Sequence, residues 1–474
     1  MRNIILESGA FLLMGDVKKF VMGVPGLDKL VGEVETPYTL LVAGHPGAGK
    51  TTLAAAVCYA NALQGRKCLY VTFYEDREKF FKFMKRLGLD LESVELRGLF
   101  RFVRFPQVLS FEQAVEGISK VVTEEYDIVV IDTITALLGS VREGAERRAW
   151  LLNYFYQLPT VLNNFLILVA ELPFGEEKLG LDPIEFVADA TLLLKHRIED
   201  GFLTRVIEVR KVRGAPVHVA ETYFTITEGT GIVVFAPPVL AELPRESEEI
   251  ITFEEYMKFI RFRKGYIINV FYPPEPGAGL DTLLWALAVA IKNNMRMLVV
   301  SYTNPESVLR EALKNKLMEC GLNDERADKF LDKYVNIAAL NPFAYGLTQL
   351  IARELMIIER VKPDIVVFWG IHIPSYVRYV DELKELFNEL TYLKSKNVTT
   401  IRVGSCLKED VCNAETAISD VTLRFVRVFK RDGSIDTRLY VYERFKEPAV
   451  LPSKAVTGFV RLCGKILKEL ADKL

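Results

Sequence analysis

The stretch "GHPGAGKTT" (residues 44–52) decides the fold of the amino-terminal half. Its glycine, lysine and threonine spacing is that of a Walker A phosphate-binding loop. In such a loop the glycines let backbone N–H groups surround the phosphates, the lysine reaches the β- and γ-phosphates, and the hydroxyl holds Mg²⁺. The stretch also lies between an apolar run and a helical run, which is the context that the loop requires. We therefore predict ATP binding by Gly44, His45, Pro46, Gly47, Ala48, Gly49, Lys50, Thr51 and Thr52.

Short apolar runs alternate with helical stretches on both sides of this loop. The runs "YTLLVAG" (38–44), "CLYVTF" (68–73), "DIVVID" (127–132) and "FLILVA" (165–170) read as buried strands. Strands that alternate with helices form a parallel sheet with helices on both faces. The β-rich stretches that follow, up to residue 235, predict an antiparallel extension of that sheet. We expect an α/β fold.

Acidic residues follow two of these strands, close to the expected position of the loop. Asp132 ends one strand and is predicted to hold Mg²⁺ together with Thr51, because a carboxylate at the tip of a buried strand suits that ion. Glu75 follows another strand and is the candidate base that orients the attacking water. Asp76 is the alternative base.

The pattern of the first half restarts after a segment rich in proline and charge. A second loop, "EPGAGLDT" (275–282), precedes a helical run, and "PDIVVFW" (363–369) matches "YDIVVID" (126–132). We interpret the chain as a tandem duplication of one α/β domain. The predicted boundaries are 1–238 for the first domain, 239–250 for a linker and 251–474 for the second domain.

The second copy lacks the residues that bind Mg·ATP in the first. Leu280 replaces Lys50, Asp281 replaces Thr51, Pro274 replaces Gly44, Trp369 replaces Asp132 and Asn304 replaces Glu75. An added aspartate also repels phosphates at close range. We predict that residues 251–474 neither bind nor hydrolyse Mg·ATP.

Residues 20–236 closely resemble the KaiC-like branch of the RecA superfamily, which is common in archaea. The similarity rests on "MGVPGLDKLVG", "FYED", "IDTITALL", "IEFVADATLLL", "KVRGAPVH" and "TYFTITEGTGIVVF". The resemblance implies tandem RecA-like P-loop domains, the second degenerate, with ATP and Mg²⁺ as ligands and ATP hydrolysis in the first domain only. It also implies a homo-oligomer or a pseudo-symmetric pair of domains.

The same resemblance assigns a role to a basic strand, "KVRG". Lys211 and Arg213 match family residues that reach the γ-phosphate bound by a neighbouring subunit, where a cation neutralises charge on the transferred phosphoryl group. His218 lies near a family histidine, about one residue further along. Arg444 and Lys446 of the second half align opposite Lys211 and Arg213.

Composition and residue spacing argue against a zinc-binding or membrane-spanning protein. The formal net charge is −2 at pH 7, the six cysteines form no CxxC pair and the four histidines are isolated, so a zinc site is not expected. No apolar run reaches the roughly 18–20 residues of a membrane helix, and we expect a cytoplasmic protein. We also expect buried free thiols, with a Cys406–Cys412 disulfide as the alternative.

Three functions remain open. The first is an ATPase that acts as a regulatory or assembly switch, with a protein partner, and with a second half that is a pseudo-ATPase. The second is a DNA-repair recombinase paralogue with DNA-binding loops at 138–150 and 172–182, although no basic and aromatic groove for single strands is evident. The third is a transcription or gas-vesicle regulator resembling GvpD proteins. The RecA core supports all three.

Overall fold

The computed structural model describes residues 17–106, 111–122, 125–140, 145–173, 185, 187–199, 202–215, 217, 220–235, 242–251, 262–274, 279–377, 379–430, 432–451 and 464–469. The chain separates into two compact units, residues 1–236 and 237–474. Over the described part of the chain, no helix has both the length and the apolar character that a bilayer span requires.

The first unit alternates strands with helices. Its strands are β1 (Lys19–Phe20), β2 (Val34–Glu35), β3 (Tyr38–Gly44), β4 (Cys68–Thr72), β5 (Phe100–Arg104), β6 (Ile128–Asp132), β7 (Phe165–Glu171), β8 (Ala190–Glu199), β9 (Phe202–Val212), β10 (Glu221–Thr227) and β11 (Gly231–Val234). Its helices are α1 (Leu27–Val31), α2 (Lys50–Leu63), α3 (Arg77–Arg86), α4 (Leu91–Leu96), α5 (Phe111–Val121), α6 (Ile134–Ser140) and α7 (Ala145–Leu162).

One large sheet organises this unit, in the order β11-β10-β9-β8-β3-β7-β6-β4-β5. Strands β8, β3, β7, β6, β4 and β5 are parallel, and β9 to β11 extend the sheet antiparallel. Successive residues of β3 enter opposite core layers, with Leu40 and Val42 on one face and Leu41 and Ala43 on the other. Because both faces are covered, β3 reads as an uninterrupted apolar run and not as an alternating one.

The second unit repeats this alternation. Its strands are β12 (Ile267–Tyr272), β13 (Met297–Ser301), β14 (Val335–Ala339), β15 (Ile365–Trp369), β16 (Thr399–Ser405), β17 (Val421–Phe429), β18 (Ile435–Glu443) and β19 (Ala449–Leu451). Its helices are α8 (Leu280–Lys292), α9 (Glu306–Glu319), α10 (Asp324–Tyr334), α11 (Leu347–Val361), α12 (His372–Val377), α13 (Tyr379–Ser395) and α14 (Glu409–Ala417), with a 3₁₀ turn at Pro342–Ala344.

The two sheets share one topology. The second runs β14-β13-β15-β16-β12-β17-β18-β19, parallel from β14 to β17 and antiparallel beyond. Matching β12 with β3 and β17 with β8 superposes the two orders from β5 to β10, and β11 of the first sheet has no counterpart among the described strands of the second. The predicted fold class is confirmed: the chain carries tandem α/β RecA-like domains, each with a mainly parallel sheet, helices on both faces and an antiparallel extension.

Two expectations about particular segments are wrong. Four cysteines are not the free thiols that we expected, because packing brings the Cα atoms of Cys58 and Cys68, and of Cys406 and Cys412, to 5.9 Å; the second of these disulfides is the alternative that the sequence offered, and it is confirmed. Cys320 is free and half-buried, and Cys463 lies outside the described residues. The proposed DNA-binding loop at 138–150 is largely helical, since α6 extends to Ser140 and α7 begins at Ala145. Of the second loop, residues 174–182 lie outside the described part.

Candidate functional site

The glycine-rich loop connects the carboxyl end of β3 to the first residue of α2. Gly47 and Gly49 have φ angles of 74° and 107°, which residues with a side chain rarely adopt. A Cβ at Gly49 would approach Ile226 Cδ1 to 2.6 Å, whereas a Cβ at Gly47 would meet no atom of the described residues within 4 Å. The loop is therefore packed on the side of Gly49 and open at Gly47.

The Lys50 side chain is buried and turns back over this loop. Its Nζ donates a hydrogen bond to the carbonyl oxygen of His45 at 2.9 Å, and the residue is 6% exposed. Burial lowers the pKa of Lys50, and the negative charges of Glu171 and Asp132 oppose that effect. The ammonium group is thus held at the loop with acidic groups close by.

Asp132 and Thr51 meet at the carboxyl edge of the sheet. Thr51 Oγ1 donates to Asp132 Oδ2 at 2.8 Å, and Tyr70 OH donates to the same oxygen at 2.7 Å. Burial raises the pKa of Asp132, while these two hydrogen bonds and Lys50 favour the carboxylate. The structure thereby brings together the two residues that the sequence predicts as metal ligands.

Tyr70 is a member of this site that sequence reasoning missed. It lies in the middle of β4, is fully buried and packs against Phe80 and Phe102. A tyrosine in an apolar strand reads as a core residue. The only signal for a role was its hydroxyl, which must find a partner when it is buried.

Glu75 and Asp76 follow β4 and have different surroundings. The Thr72 Oγ1 atom accepts hydrogen bonds from the backbone N–H groups of Tyr74 and Glu75, which fixes the turn. Burial, then the charges of Asp132 and Asp76, raise the pKa of Glu75. Asp76 instead caps α3 by accepting from Lys79 N at 3.2 Å and lies 3.5 Å from Arg104. This geometry favours Glu75 as the candidate base.

Glu171 is a second residue that the sequence did not single out. It ends β7 and pairs in register with Gly44, the last residue of β3. Its backbone N–H donates to Thr135 Oγ1 at 2.8 Å, and its charge acts on Lys50. Only the parallel pairing of β3 with β7 identifies it, and strand register is not readable from the chain.

Arg213 lies at the other end of β3, away from the loop of its own domain, and Lys211 pairs with Thr191 at the level of Leu41 in the middle of β3. Arg213 contacts Asp189 at 2.8 Å, and Asp189 Oδ2 in turn accepts from the backbone N–H of Thr39, near the start of β3. Lys211 Nζ donates to the carbonyl of Glu185 at 3.2 Å. These two cations are therefore not part of the site at Lys50 in the same domain. His218 lies outside the described residues.

The corresponding edge of the second unit is built differently. Residues 275–278 lie outside the described part, but Gly279 has a φ of 96° and begins α8, as Gly49 begins α2. A Cβ at Gly279 would lie 3.1 Å from the Trp369 indole, whose Nε1 donates to Asn304 Oδ1 at 3.1 Å. Trp369 and Asn304, which replace Asp132 and Glu75, are thus hydrogen-bonded to each other, and the indole packs against the turn at Gly279. Leu280 and Asp281 are the first two residues of α8.

The predicted alignment of the second pair of cations needs a correction. Arg444 contacts Asp420 at 3.2 Å and its N–H donates to the Asp420 carbonyl, as Arg213 does with Asp189. Arg444 is thus the equivalent of Arg213, and not of Lys211 as aligned. Lys446 lies two residues beyond this position and contacts Glu443. The predicted alignment was therefore shifted by two residues relative to the strand register.

The residues of the first site fit Mg·ATP. Gly47 leaves open space where a loop N–H can approach a phosphate, and Lys50 is held beside it with a neutral carbonyl as hydrogen-bond acceptor. Thr51 and Asp132 supply oxygen atoms of the kind that Mg²⁺ prefers. Lys50 would hold phosphate oxygens, and Thr51 and Asp132 would hold the ion, directly or through its water.

Comparison with known proteins agrees with this geometry. Residues 21–239 match the family model described as "ATPase: KaiC". The first half of the chain belongs to the KaiC-like branch of the RecA superfamily.

Individual curated relatives are each similar to about half of this chain or less. The chain is 27% identical over 260 residues to the circadian clock protein KaiC3 of Synechocystis, covering 49% of this chain and 48% of that protein. It is 26% identical to the clock oscillator protein KaiC of Thermostichus vulcanus, covering 41% and 38%. It is 25% identical to a UPF0273 protein of Pyrococcus furiosus, covering 47% and 96%. The chain thus spans about half the length of the KaiC relatives that it matches, or less.

Removing the Lys50 charge should abolish nucleotide binding. We expect Lys50→Ala to weaken Mg·ATP binding about a hundredfold or more, because a charge-assisted contact to phosphate is lost in a buried site. Asp132→Ala should reduce turnover and leave some binding, since backbone contacts to phosphate remain. Titration calorimetry and phosphate release measure both effects, with exposed Lys82→Ala as the control. Full activity of Lys50→Ala would contradict the site.

Substitution of Glu75 should affect hydrolysis, whereas substitution of Asp76 should affect stability. Glu75→Gln keeps the shape of the side chain but removes the base, so turnover should fall about a hundredfold or more with ATP affinity retained. Asp76→Ala removes a helix cap, so it should cost about 1 kcal/mol of stability and leave hydrolysis nearly unchanged. Kinetics and thermal unfolding of both variants decide the point. The reverse pattern would make Asp76 the base.

The pH dependence of turnover should report Glu75. A base must be deprotonated, and the pKa of Glu75 is raised by burial and by Asp132. The rate should therefore fall on the acid side at a higher pH than an ordinary glutamate would give. A pH profile of kcat measures this limb, which Glu75→Gln should lack. An unchanged acid limb in that variant would exclude Glu75 as its source.

Proposed function

We propose that this protein is a Mg²⁺-dependent ATPase that acts as a regulatory or assembly switch. One nucleotide binds to the first half, and the second half is a pseudo-ATPase. The observation that carries the proposal is the contrast between equivalent strand ends. Thr51 and Asp132 face each other at 2.8 Å beside a buried lysine, whereas Trp369 bonds to Asn304 and packs on Gly279.

Hydrolysis in the first half would use residues that are already in place. Lys50 holds phosphate oxygens, Tyr70 and Thr51 fix the Asp132 carboxylate, and Glu75 accepts the proton of the attacking water. Bound Mg²⁺ would neutralise charge on the phosphates. Burial of Glu75 supports its role as a base, because a raised pKa brings its proton affinity closer to neutral pH.

The position of Arg213 supports assembly with a neighbouring domain. It lies at the end of β3 opposite the loop, so it cannot serve the nucleotide of its own domain, and its side chain is 56% exposed beside Asp189. We infer that Arg213 and Lys211 act on a nucleotide held by a neighbouring domain. Arg444, with the same contact to Asp420, keeps this feature in the second half. Catalytic use of such cations makes turnover depend on oligomer formation.

The full chain should bind one nucleotide. In the second half a missing lysine, an added Asp281 and the Trp369 indole all act against Mg·ATP. Calorimetry on the full chain should therefore give one site, and Lys50→Ala should leave none. Binding of one nucleotide per chain by Lys50→Ala would show that the second half is active. The same assay with single-stranded DNA tests the recombinase alternative, which requires strong stimulation of hydrolysis.

Mixed variants should test action between neighbours. Arg213→Ala should lower turnover by about a thousandfold, as loss of an arginine finger does, with Arg97→Ala on the exposed surface as the control. Mixing Arg213→Ala with Lys50→Ala should restore part of the activity, because an intact loop then meets an intact arginine. Phosphate release before and after mixing measures this. No recovery, with mixed oligomers shown by mass measurement, would contradict the proposal.

A further inference from the structure

A cavity lies between the second sheet and the helices α11, α12 and α13, far along the chain from the degenerate loop. Its volume is about 50 Å³, enough for a small polar group and a few carbon atoms. It opens near the carboxyl ends of β13, β15 and β16, the edge where open α/β sheets usually bind ligands. Most of its lining is apolar, from Leu347, Leu350, Ile351, Ile371, Pro374 and Leu386.

Two buried carboxyl groups face this cavity. Glu354 and Glu389 are 2% and 3% exposed. Tyr302 OH donates to Glu354 Oε1 at 2.6 Å, whereas Oε1 of Glu389 accepts no hydrogen bond from any residue that the structure describes. An unmet acceptor at this depth costs free energy unless a donor occupies the cavity.

The charge of Arg402 lowers the pKa of both carboxyl groups and so opposes the effect of burial. Arg402 also lines the cavity, but its guanidinium contacts Glu415 at 3.2 Å and Asn269 at 3.3 Å. Burial raises the pKa of Glu354 and of Glu389, and the charge of Glu354 raises that of Glu389 further. The two carboxyl groups also hydrogen-bond to each other, an interaction that a positively charged N–H donor could replace.

The first unit shows that the fold does not need these polar groups. Phe73 and Tyr302 follow equivalent strands, each with its N–H bonded to the carbonyl of residue 132 or 369. Leu168 and Arg402 are equivalent by strand register, since they pair with Leu41 and Asn269.

Glu389 also has an apolar equivalent in the first unit. It precedes Asn397, which has a positive φ, by as many residues as Phe155 precedes Asn163, which also has one. In the first unit, Phe73, Leu168 and Phe155 all belong to an apolar core. The second unit therefore has polar side chains at three positions that are apolar in the first unit. Since a buried charge is less stabilising than a well-packed apolar residue, binding is a reason to keep it.

We propose that this cavity binds the ammonium group of a small primary alkylamine. Glu354 and Glu389 accept its N–H donors, and the surrounding leucine and isoleucine side chains contact its alkyl chain. A metal ion is a poorer occupant, because the described residues include no group of three or more His, Cys, Asp or Glu side chains placed to hold one. This site is independent of nucleotide binding in the first half.

Three compounds separate this proposal from a general salt effect. The full chain is titrated with n-butylammonium, with tetramethylammonium, which has the charge but no N–H donor, and with n-butanol, which has the chain but no charge. At constant ionic strength, n-butylammonium alone should give a saturable rise in Tm and a binding isotherm of one site per chain. Equal shifts with tetramethylammonium or n-butanol would overturn the proposal.

Variants assign the binding to the two carboxyl groups. Glu389→Gln and Glu354→Gln should each weaken n-butylammonium binding by about tenfold to a hundredfold, the loss expected for a hydrogen bond to a charged group. Glu389→Phe, which copies Phe155, should abolish it and keep the fold, as circular dichroism can check. Glu359→Gln, exposed on the same helix as Glu354, is the matched control. Parental affinity in both glutamine variants would refute the site.

Discussion

The hydrogen bond from Thr51 to Asp132 depends on the whole sheet. It joins residues 81 positions apart, and its ends lie on α2 and β6, with β7 between β3 and β6 in the sheet. The contact forms only if three parallel strands are in register and end at the same level. Burying both faces of these strands is what aligns them, so the apolar layers and the polar site are consequences of one arrangement.

The sequence predicted those parts of the site that are local along the chain. The loop at 44–52 and its strand and helix can be read directly, because glycine, lysine and threonine stand at fixed spacing. Tyr70 and Glu171 could not be found in this way, since both join the site through strand pairing. The two-residue error at Arg444 has the same origin: sequence alignment gives the order of elements, whereas Asp420 and the β17–β18 register give the position.

Duplication allows the same edge of the sheet to be used in two ways. In the first unit the residues at the strand ends are polar and face a glycine loop. In the second, an indole and an amide satisfy each other, and polar groups have moved to the opposite helical layer, around Glu354 and Arg402. The fold tolerates both because the apolar layers on the two faces of each sheet, and not these side chains, stabilise it.

Charge balance explains why the first site suits ATP together with a metal ion. One buried ammonium, that of Lys50, lies among the charges of Asp132 and Glu171, and Asp132 acts in turn on Glu75. Acidic groups therefore outnumber the cation, and ATP alone would meet net repulsion at short range. We expect a divalent cation at Thr51 and Asp132 to offset that acidic excess. We therefore expect the acidic excess that disfavours free ATP to favour a metal-loaded nucleotide.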